Sequence, residues 1–282
     1  MPRVLLVGGH GYLGSAVADL LTPDPTYELI TVSRDGTSRH GRLSIPFTTL
    51  PSLLPGDCDE QSVLVWMLAG DRHHEDQHLA QLLDVLFNAE RIRMVYVSSC
   101  AVYGHAEAVC DESIQPQPLN AYAAVKARCE QIVTALPLAS CMLRLATIHG
   151  HPAAGELKQS VHRLLHQAAQ GAVHAYAPTN WRPFLQRGEA ARAIDRAIRG
   201  PHLTGIYNLA YDHATFGTVA GYAAGLFDAQ LHVDHSRVDP RSYRVASDKA
   251  LGAGLLSPEP PQDLWTSMAD YAARLRELRS QD

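Results

Sequence analysis

Val4-Leu5-Leu6-Val7-Gly8-Gly9-His10-Gly11-Tyr12-Leu13-Gly14 is the stretch that decides the fold. Its four apolar residues, without polar alternation, read as a strand buried on both faces. Glycines end the strand, and from Tyr12 onward Leu13, Val17, Leu20 and Leu21 recur at helical spacing until Pro23 and Pro25 forbid continuation. Gly8, Gly11 and Gly14 form G-x-x-G-x-x-G, while Gly9, Gly11 and Gly14 also satisfy G-x-G-x-x-G. A backbone without Cβ atoms lets a pyrophosphate approach the helix N-terminus, where N–H groups and the helix dipole favour negative charge. Because a strand precedes the glycines and a helix follows, a dinucleotide cradle of Gly8, Gly11, Tyr12, Leu13 and Gly14 is expected.

Outward from this unit, residues 29–32, 63–68, 94–97 and 141–146 read as further strands. A helical stripe of Leu82, Leu83, Leu86 and Phe87 lies within 79–89, and another helix spans 121–135 before Pro137 stops it. Strands alternating with helices imply parallel crossovers, so residues 1–150 are expected to form an α/β doubly wound parallel sheet, a Rossmann domain. Beyond Gly150 the alternation weakens, with helices expected at 156–169, 188–198, 216–227 and 261–279 and a strand at 205–209. Residues 151–282 therefore read as a smaller, mainly substrate-binding part, with segments near 182–210 returning to the Rossmann domain. No internal repeat or low-complexity segment interrupts the chain.

The composition narrows the partners. At 282 residues, 46% hydrophobic and 19% charged, the chain is an ordinary folded protein. Lys+Arg 24 against Asp+Glu 29 leaves a net charge of -5, which attracts neither nucleic acid nor anionic lipid. No stretch approaches the roughly 20 apolar residues of a membrane span. Five scattered cysteines without C-x-x-C spacing fit free thiols in a reducing compartment, so a cytoplasmic location is expected. Histidines number 15. His73, His74, His78, His149 and His151 meet no acidic or thiol partner at ligand spacing, so no metal is expected. His162, His166, His174, His202, His213, His232 and His235 are expected to cap helices or to lie at the surface.

The second strand ends Val32-Ser33-Arg34. An acid at this place bonds both ribose hydroxyls and repels a 2′-phosphate. Ser33 can donate to a phosphate and Arg34 can pair with it, with Arg39 as a second cation, so NADP(H) is preferred. Asp35 could serve the ribose instead, which keeps NAD(H) possible.

Tyr122-Ala-Ala-Val-Lys126 sets a phenol and an ammonium on one helix face. A phenol of reference pKa about 10 is a poor acid or base at neutral pH, and a neighbouring ammonium favours its phenolate. Ser98 and Ser99 close a strand at its carboxyl end, where an open parallel sheet places its ligand crevice. A serine there can hold the reacting oxygen while Tyr122 transfers its proton.

The set GGHGYLG, YVSSCAVYG and YAAVK resembles the extended short-chain dehydrogenase/reductase family, also called the NAD-dependent epimerase/dehydratase family. Further echoes are Leu68-Ala69-Gly70, Leu143-Arg144-Leu145, Trp181-Arg182-Pro183-Phe184, Tyr207-Asn208-Leu209 and Asp248-Lys249. By this resemblance Ser99 is the substrate-binding serine, with Ser98 as its alternative, Tyr122 the catalytic tyrosine and Lys126 the cofactor-binding lysine. Leu68, Ala69 and Gly70 fall to the cofactor. Arg182, Arg241 and Arg244 are candidates for gripping an anionic substrate group, with Arg182 and Arg241 preferred.

Departures from the family pattern also count. Family dehydratases place an Asp-Glu pair where Cys100 and Ala101 stand, so dehydration is disfavoured, and Cys100 reads as a packing residue. The interval from Gly150 to Trp181 is shorter than in many nucleotide-sugar members.

The resemblance thus implies an NAD(P)-dependent oxidoreductase acting on a hydroxyl or ketone carbon of a small-molecule substrate. A reductase of a sugar-nucleotide-like or other small polar ketone is preferred, and an epimerase with tightly bound NAD is the alternative. A non-catalytic dinucleotide sensor or partner-binding protein is the reading from another class. The resemblance further implies a homodimer through the helices near 73–90 and 118–135.

Overall fold

The structure is a computed structural model that describes residues 1–34, 36–38, 43–54, 60–68, 74–88, 92–151, 160–259 and 262–279. In chain order its first half contains β1 (Arg3–Val7), α1 (Tyr12–Leu21), β2 (Glu28–Ser33), β3 (Ser44–Pro46), α2 (Leu50–Leu53), β4 (Val63–Trp66), α3 (Glu75–Gln81), α4 (Leu83–Phe87), β5 (Arg93–Ser99), β6 (His105–Cys110), α5 (Ala121–Ala135), β7 (Ser140–Leu145) and β8 (Thr147–His149). The second half adds α6 (Ser160–Ala169), β9 (Ala172–Tyr176), β10 (Trp181–Gln186), α7 (Arg187–Arg199), β11 (Gly205–Leu209), β12 (Asp212–Thr215), α8 (Phe216–Leu226), β13 (Gln230–Asp234), β14 (Ser242–Val245), α9 (Asp248–Gly252) and α10 (Leu264–Arg279).

The main sheet runs β11-β7-β5-β4-β1-β2-β3, and every pairing in it is parallel. Its strands are apolar on both faces because both faces are covered. Val4 and Leu6 of β1, Val63 and Val65 of β4 and Val95 and Val97 of β5 enter one layer, against Val17 and Leu21 of α1 and Ala190 and Ile194 of α7. Leu5 and Val7, Leu64 and Trp66, and Met94 and Tyr96 enter the other, against Leu79 of α3 and Val125 and Val133 of α5. The chain moves from β1 to β2 on one side and later to β4 on the other, so a crevice opens at the carboxyl end of β1. That topology sets the place of the site.

A third core lies in the C-terminal part, where α6, α8 and α10 meet β9 and β10 through Leu165, Val173, Phe184, Val219 and Met268. β10 lies between β12 and β8, yet Pro183 pairs only toward β12 because the β8 pairing begins at Phe184. A residue without an N–H is tolerated on that half-open stretch. The chain then returns to the main sheet, α7 packing beside α1 and β11 forming the outermost strand next to β7.

Some expected elements differ. The helix expected at 79–89 is two helices, α3 beginning earlier at Glu75 and α4 following a break at Leu82, and Phe87 is exposed rather than part of the stripe. The strand expected at 63–68 ends at Trp66. Of the helix expected at 156–169, positions up to 159 lie outside the described residues and α6 begins at Ser160. Among the described residues no helix is long and apolar enough to cross a membrane.

Candidate active site

The glycine turn is close to its neighbours on nearly every side. A Cβ on Gly14 would stand 2.1 Å from the Gly8 carbonyl oxygen, and one on Gly8, whose φ is +87°, would stand 2.7 Å from the Met67 carbonyl oxygen. Neither position admits a side chain. At Gly11 a Cβ would meet only the Gly8 oxygen, at 3.4 Å. Gly11 caps α1 without a side-chain hydrogen bond, and the first turn of α1 holds no acid. The cradle therefore fits the pyrophosphate of a dinucleotide. Arg187 of α7 fastens it from behind, donating from Nε to the Tyr12 carbonyl at 2.7 Å and from Nη2 to Ser15 Oγ at 2.8 Å.

A cavity of about 1410 Å³ runs from this turn to the C-terminal part. Gly8, Gly11, Tyr12, Leu13, Gly14, Ser33, Arg34 and Leu68 line it, as do Ser99, Tyr122, Lys126, Arg182 and Arg241. Ala69, Gly70, Asp35 and Arg39 lie outside the described residues. At the end of β2, Ser33 Oγ is 3.1 Å from Ser44 Oγ, which is 3.2 Å from His10 Nε2, and Arg34 is exposed. His10 thus lines the cavity beside Ser33, with the buried Ser44 joining the two from behind. Sequence reading passed over Ser44 because its strand, β3, is only three residues long.

On the far wall, Asn120 caps α5 by accepting from Ala123 N–H at 2.8 Å. Tyr122, Lys126 and Glu130 then follow at four-residue spacing on the face turned toward the sheet. The Lys126 ammonium donates to the carbonyls of Val97 at 2.7 Å and Leu68 at 2.9 Å, and to the Glu75 carboxylate at 2.9 Å. Its three hydrogens have three acceptors. Glu75, fully buried at the start of α3, is a partner that sequence reading missed, since 51 residues separate the two and no motif links them.

The two serines are bonded differently. Ser98 is buried and donates to Glu130 Oε1 at 2.6 Å, whereas Ser99 Oγ accepts from Ala101 N–H at 3.2 Å. Ser98 is thereby committed to the protein, and Ser99 keeps its own hydroxyl hydrogen to offer to an oxygen in the cavity. Cys100 is buried, donates to the Arg144 carbonyl, and its thiol is pushed well above the ordinary range by burial, as suits a packing residue.

Beneath them Glu130 and Arg144 form a buried two-pronged pair, Nε to Oε1 at 2.9 Å and Nη2 to Oε2 at 2.7 Å. Arg144 also donates to Tyr103 Oη at 2.8 Å, and Tyr103 donates to Asn208 Oδ1 at 2.8 Å. Burial disfavours the guanidinium charge, but the Glu130 bonds more than offset this and hold Arg144 above its usual range.

Arg182 and Arg241 line the cavity, but both are tied back. Arg182 donates to Asp239 Oδ2 at 2.9 Å and to the carbonyls of Trp181 and Arg241, and Arg241 donates to both Asp239 oxygens. Burial tends to raise the Asp239 carboxyl, yet the bonds from Arg241 hold it below the usual range. Arg163 and Arg237, which sequence reading missed, also line the cavity, and Arg237 lies 4.0 Å over the Tyr176 ring. Arg244 is directed elsewhere, bonding the Glu107 carbonyl and lying over Trp181.

The histidines require a correction. His162, expected at a cap or the surface, is buried, donates from Nε2 to the Gly150 carbonyl, and meets the ring of Tyr12 edge-on at 5.5 Å. His149 is also buried, and neither ring nitrogen has a hydrogen-bond partner among the described residues. Burial pushes His149 down to about 4, with Asp263 raising and His162 lowering it slightly. Between pH 6.5 and about 4 the unfolded chain takes up a proton that folded His149 refuses, so stability falls with pH across that window and is fully present above it. The expected loss is about 3 kcal/mol. Urea unfolding at pH 7 and pH 4.5 should show a smaller acid loss in His149→Leu than in the wild type; an equal loss in both would refute this.

A glycine cradle at the switch point of a parallel sheet shares one cavity with a serine, a tyrosine and a lysine, the arrangement that the resemblance to extended short-chain dehydrogenases/reductases implies. The model of the NAD dependent epimerase/dehydratase family matches residues 73–210, which carry Ser99, Tyr122 and Lys126. A UDP-glucose 4-epimerase of Azospirillum brasilense is 30% identical over 188 residues, covering 56% of this chain and 53% of that protein. The match thus spans about half the length of that curated relative. Among solved structures, UDP-N-acetylglucosamine 4-epimerase from Bacillus cereus is similar at a TM-score of 0.77 and 22% identity, over 98% of this chain and 97% of that one. UDP-glucose 4-epimerase from Thermus thermophilus, complexed with NAD, gives 0.80 and 18% over 97% and 99%. dTDP-glucose 4,6-dehydratase from Bacillus anthracis, also with NAD, gives 0.81 and 17% over 99% and 98%. At these identities the likeness is one of fold.

Proposed function

We propose that this chain is an NAD(P)-dependent oxidoreductase acting on a hydroxyl or ketone carbon, and that it reduces a sugar-nucleotide-like or other small polar ketone. The observation that carries this reading is that Ser99, Tyr122 and Lys126 share one cavity with the glycine cradle. The nicotinamide, when bound, supplies the hydride. Ser99 holds the substrate oxygen by donating its hydroxyl hydrogen, and Tyr122 gives that oxygen a proton as the carbon is reduced. Lys126, fixed on α5 and held by Val97, Leu68 and Glu75, sets its charge near Tyr122 on the nicotinamide-ribose side of the same space. Ser33 and the exposed Arg34 favour the 2′-phosphate of NADP(H), with Ser44 and His10 beside them. NAD(H) is the alternative cofactor.

A second reading, epimerisation with retained NAD, is favoured by the Azospirillum brasilense relative, a UDP-glucose 4-epimerase. Dehydration is disfavoured because Cys100 and Ala101 supply no acid or base. Arg163 and Arg237, beside the Asp239-paired Arg182 and Arg241, suit an anionic substrate group at this end of the cavity. A cytoplasmic homodimer through the helices near 73–90 and 118–135, α3, α4 and α5, completes the proposal.

The test incubates the protein with NADPH and a panel of nucleotide-linked ketosugars and simple polar ketones, and separately with UDP-glucose. Loss of nicotinamide absorbance in step with ketone consumption is expected. Conversion of UDP-glucose to its C4 epimer with no net absorbance change would establish the second reading instead, and failure to bind any nicotinamide dinucleotide would remove both.

A further inference from the structure

Lys126 is the one cation the mechanism sets beside the nicotinamide, and the structure gives it a buried counter-charge. Side-chain exposure is 2% for Lys126 and 0% for Glu75, and the two are in contact at 2.9 Å. Two carbonyls take the remaining ammonium hydrogens, and the Tyr96 ring centroid lies 5.1 Å from the nitrogen. Other titratable groups near the pair are Cys129 and Glu130 on α5 and Asp76 on α3, of which Asp76 is paired outward with Arg128. Without Glu75 the wall would present an uncompensated positive charge where water cannot screen it.

This matters because the nicotinamide ring is positively charged when oxidised and neutral when reduced. An uncompensated ammonium repels the first form and not the second. We propose that Glu75 is a positioning residue that holds the Lys126 ammonium in place and offsets its charge, so that the site accepts the oxidised ring as readily as the reduced one. The inference rests on the reading of the cavity as a nicotinamide dinucleotide site. It adds a residue that carries no motif and touches the chemistry only through Lys126.

The test is equilibrium binding of NADP+, NADPH, NAD+ and NADH to the full chain, wild type and Glu75→Gln, followed by fluorescence and calorimetry. Glu75→Gln should raise the preference for the reduced over the oxidised form by about tenfold, the size of effect one unit charge has across a poorly screened site. Glu75→Asp should restore part of the wild-type ratio. A merely structural role would weaken both forms alike, so an unchanged ratio overturns the proposal. Should Glu75→Gln fail to fold, Lys126→Gln carries the same test with the opposite sign, since a residual negative charge favours the oxidised form; no shift there overturns it equally. If the wild type binds none of the four dinucleotides, the functional reading itself falls. If it binds them and the ratio does not move, only the role of Glu75 does.

Discussion

Tyr122→Phe should lower turnover by about 10²–10⁴-fold while leaving dinucleotide affinity near the wild-type value. Phenylalanine keeps the ring that packs against the first core layer and removes only the oxygen that exchanges a proton with substrate. The cradle at Gly8, Gly11 and Gly14 and the clamp from Arg187 are untouched by the change, so the cofactor still has its phosphate site. Single-turnover hydride transfer and a separate fluorescence titration of NADPH distinguish the two effects. A rate within twofold of the wild type would mean that another group moves the proton, and the catalytic assignment would be lost.

The second large effect is on stability. Arg144→Met should cost about 3–5 kcal/mol in urea unfolding, because it leaves the Glu130 carboxylate buried without its partner. Side-chain exposure is 2% for Arg144 and 5% for Glu130, so water cannot replace what is removed. Combining Glu130→Leu with Arg144→Met removes both charges and should recover part of the loss. Recovery stays incomplete because Ser98 then has no acceptor and Tyr103 no donor. If the single substitution costs under about 1 kcal/mol, the pair does not anchor this wall of the site.

Much of the first half was legible in the sequence because it depends on short-range patterns. Strand β1, the glycine turn and α1 are contiguous, and a buried parallel strand announces itself by an apolar run. The spacing of Tyr122 and Lys126 is likewise local. What stayed hidden is what the crossovers bring together. Glu75 meets Lys126 only because α3 packs beside α5, and Ser98 separates from Ser99 only because Glu130 lies under one and not the other. His162 is polar by type and was expected at the surface; it is buried because Tyr12 and Tyr271 flank its ring and the Gly150 carbonyl accepts its proton. The C-terminal strands β9, β10, β12 and β13 are four to six residues long, alternate imperfectly and gain their identity from partners distant in sequence.

The clamp from Arg187 and the edge strand β11 tie the beginning of the polypeptide to its later portion. A nascent chain halted near residue 180 would already contain every glycine of the cradle and the whole serine, tyrosine and lysine set. It would still lack the guanidinium that steadies the first helix, and β7 would present an unpaired edge to whatever else the ribosome's surroundings contain. During synthesis, possession of the reactive groups, complete at Lys126, therefore precedes possession of the steadying Arg187 by some sixty residues of translation.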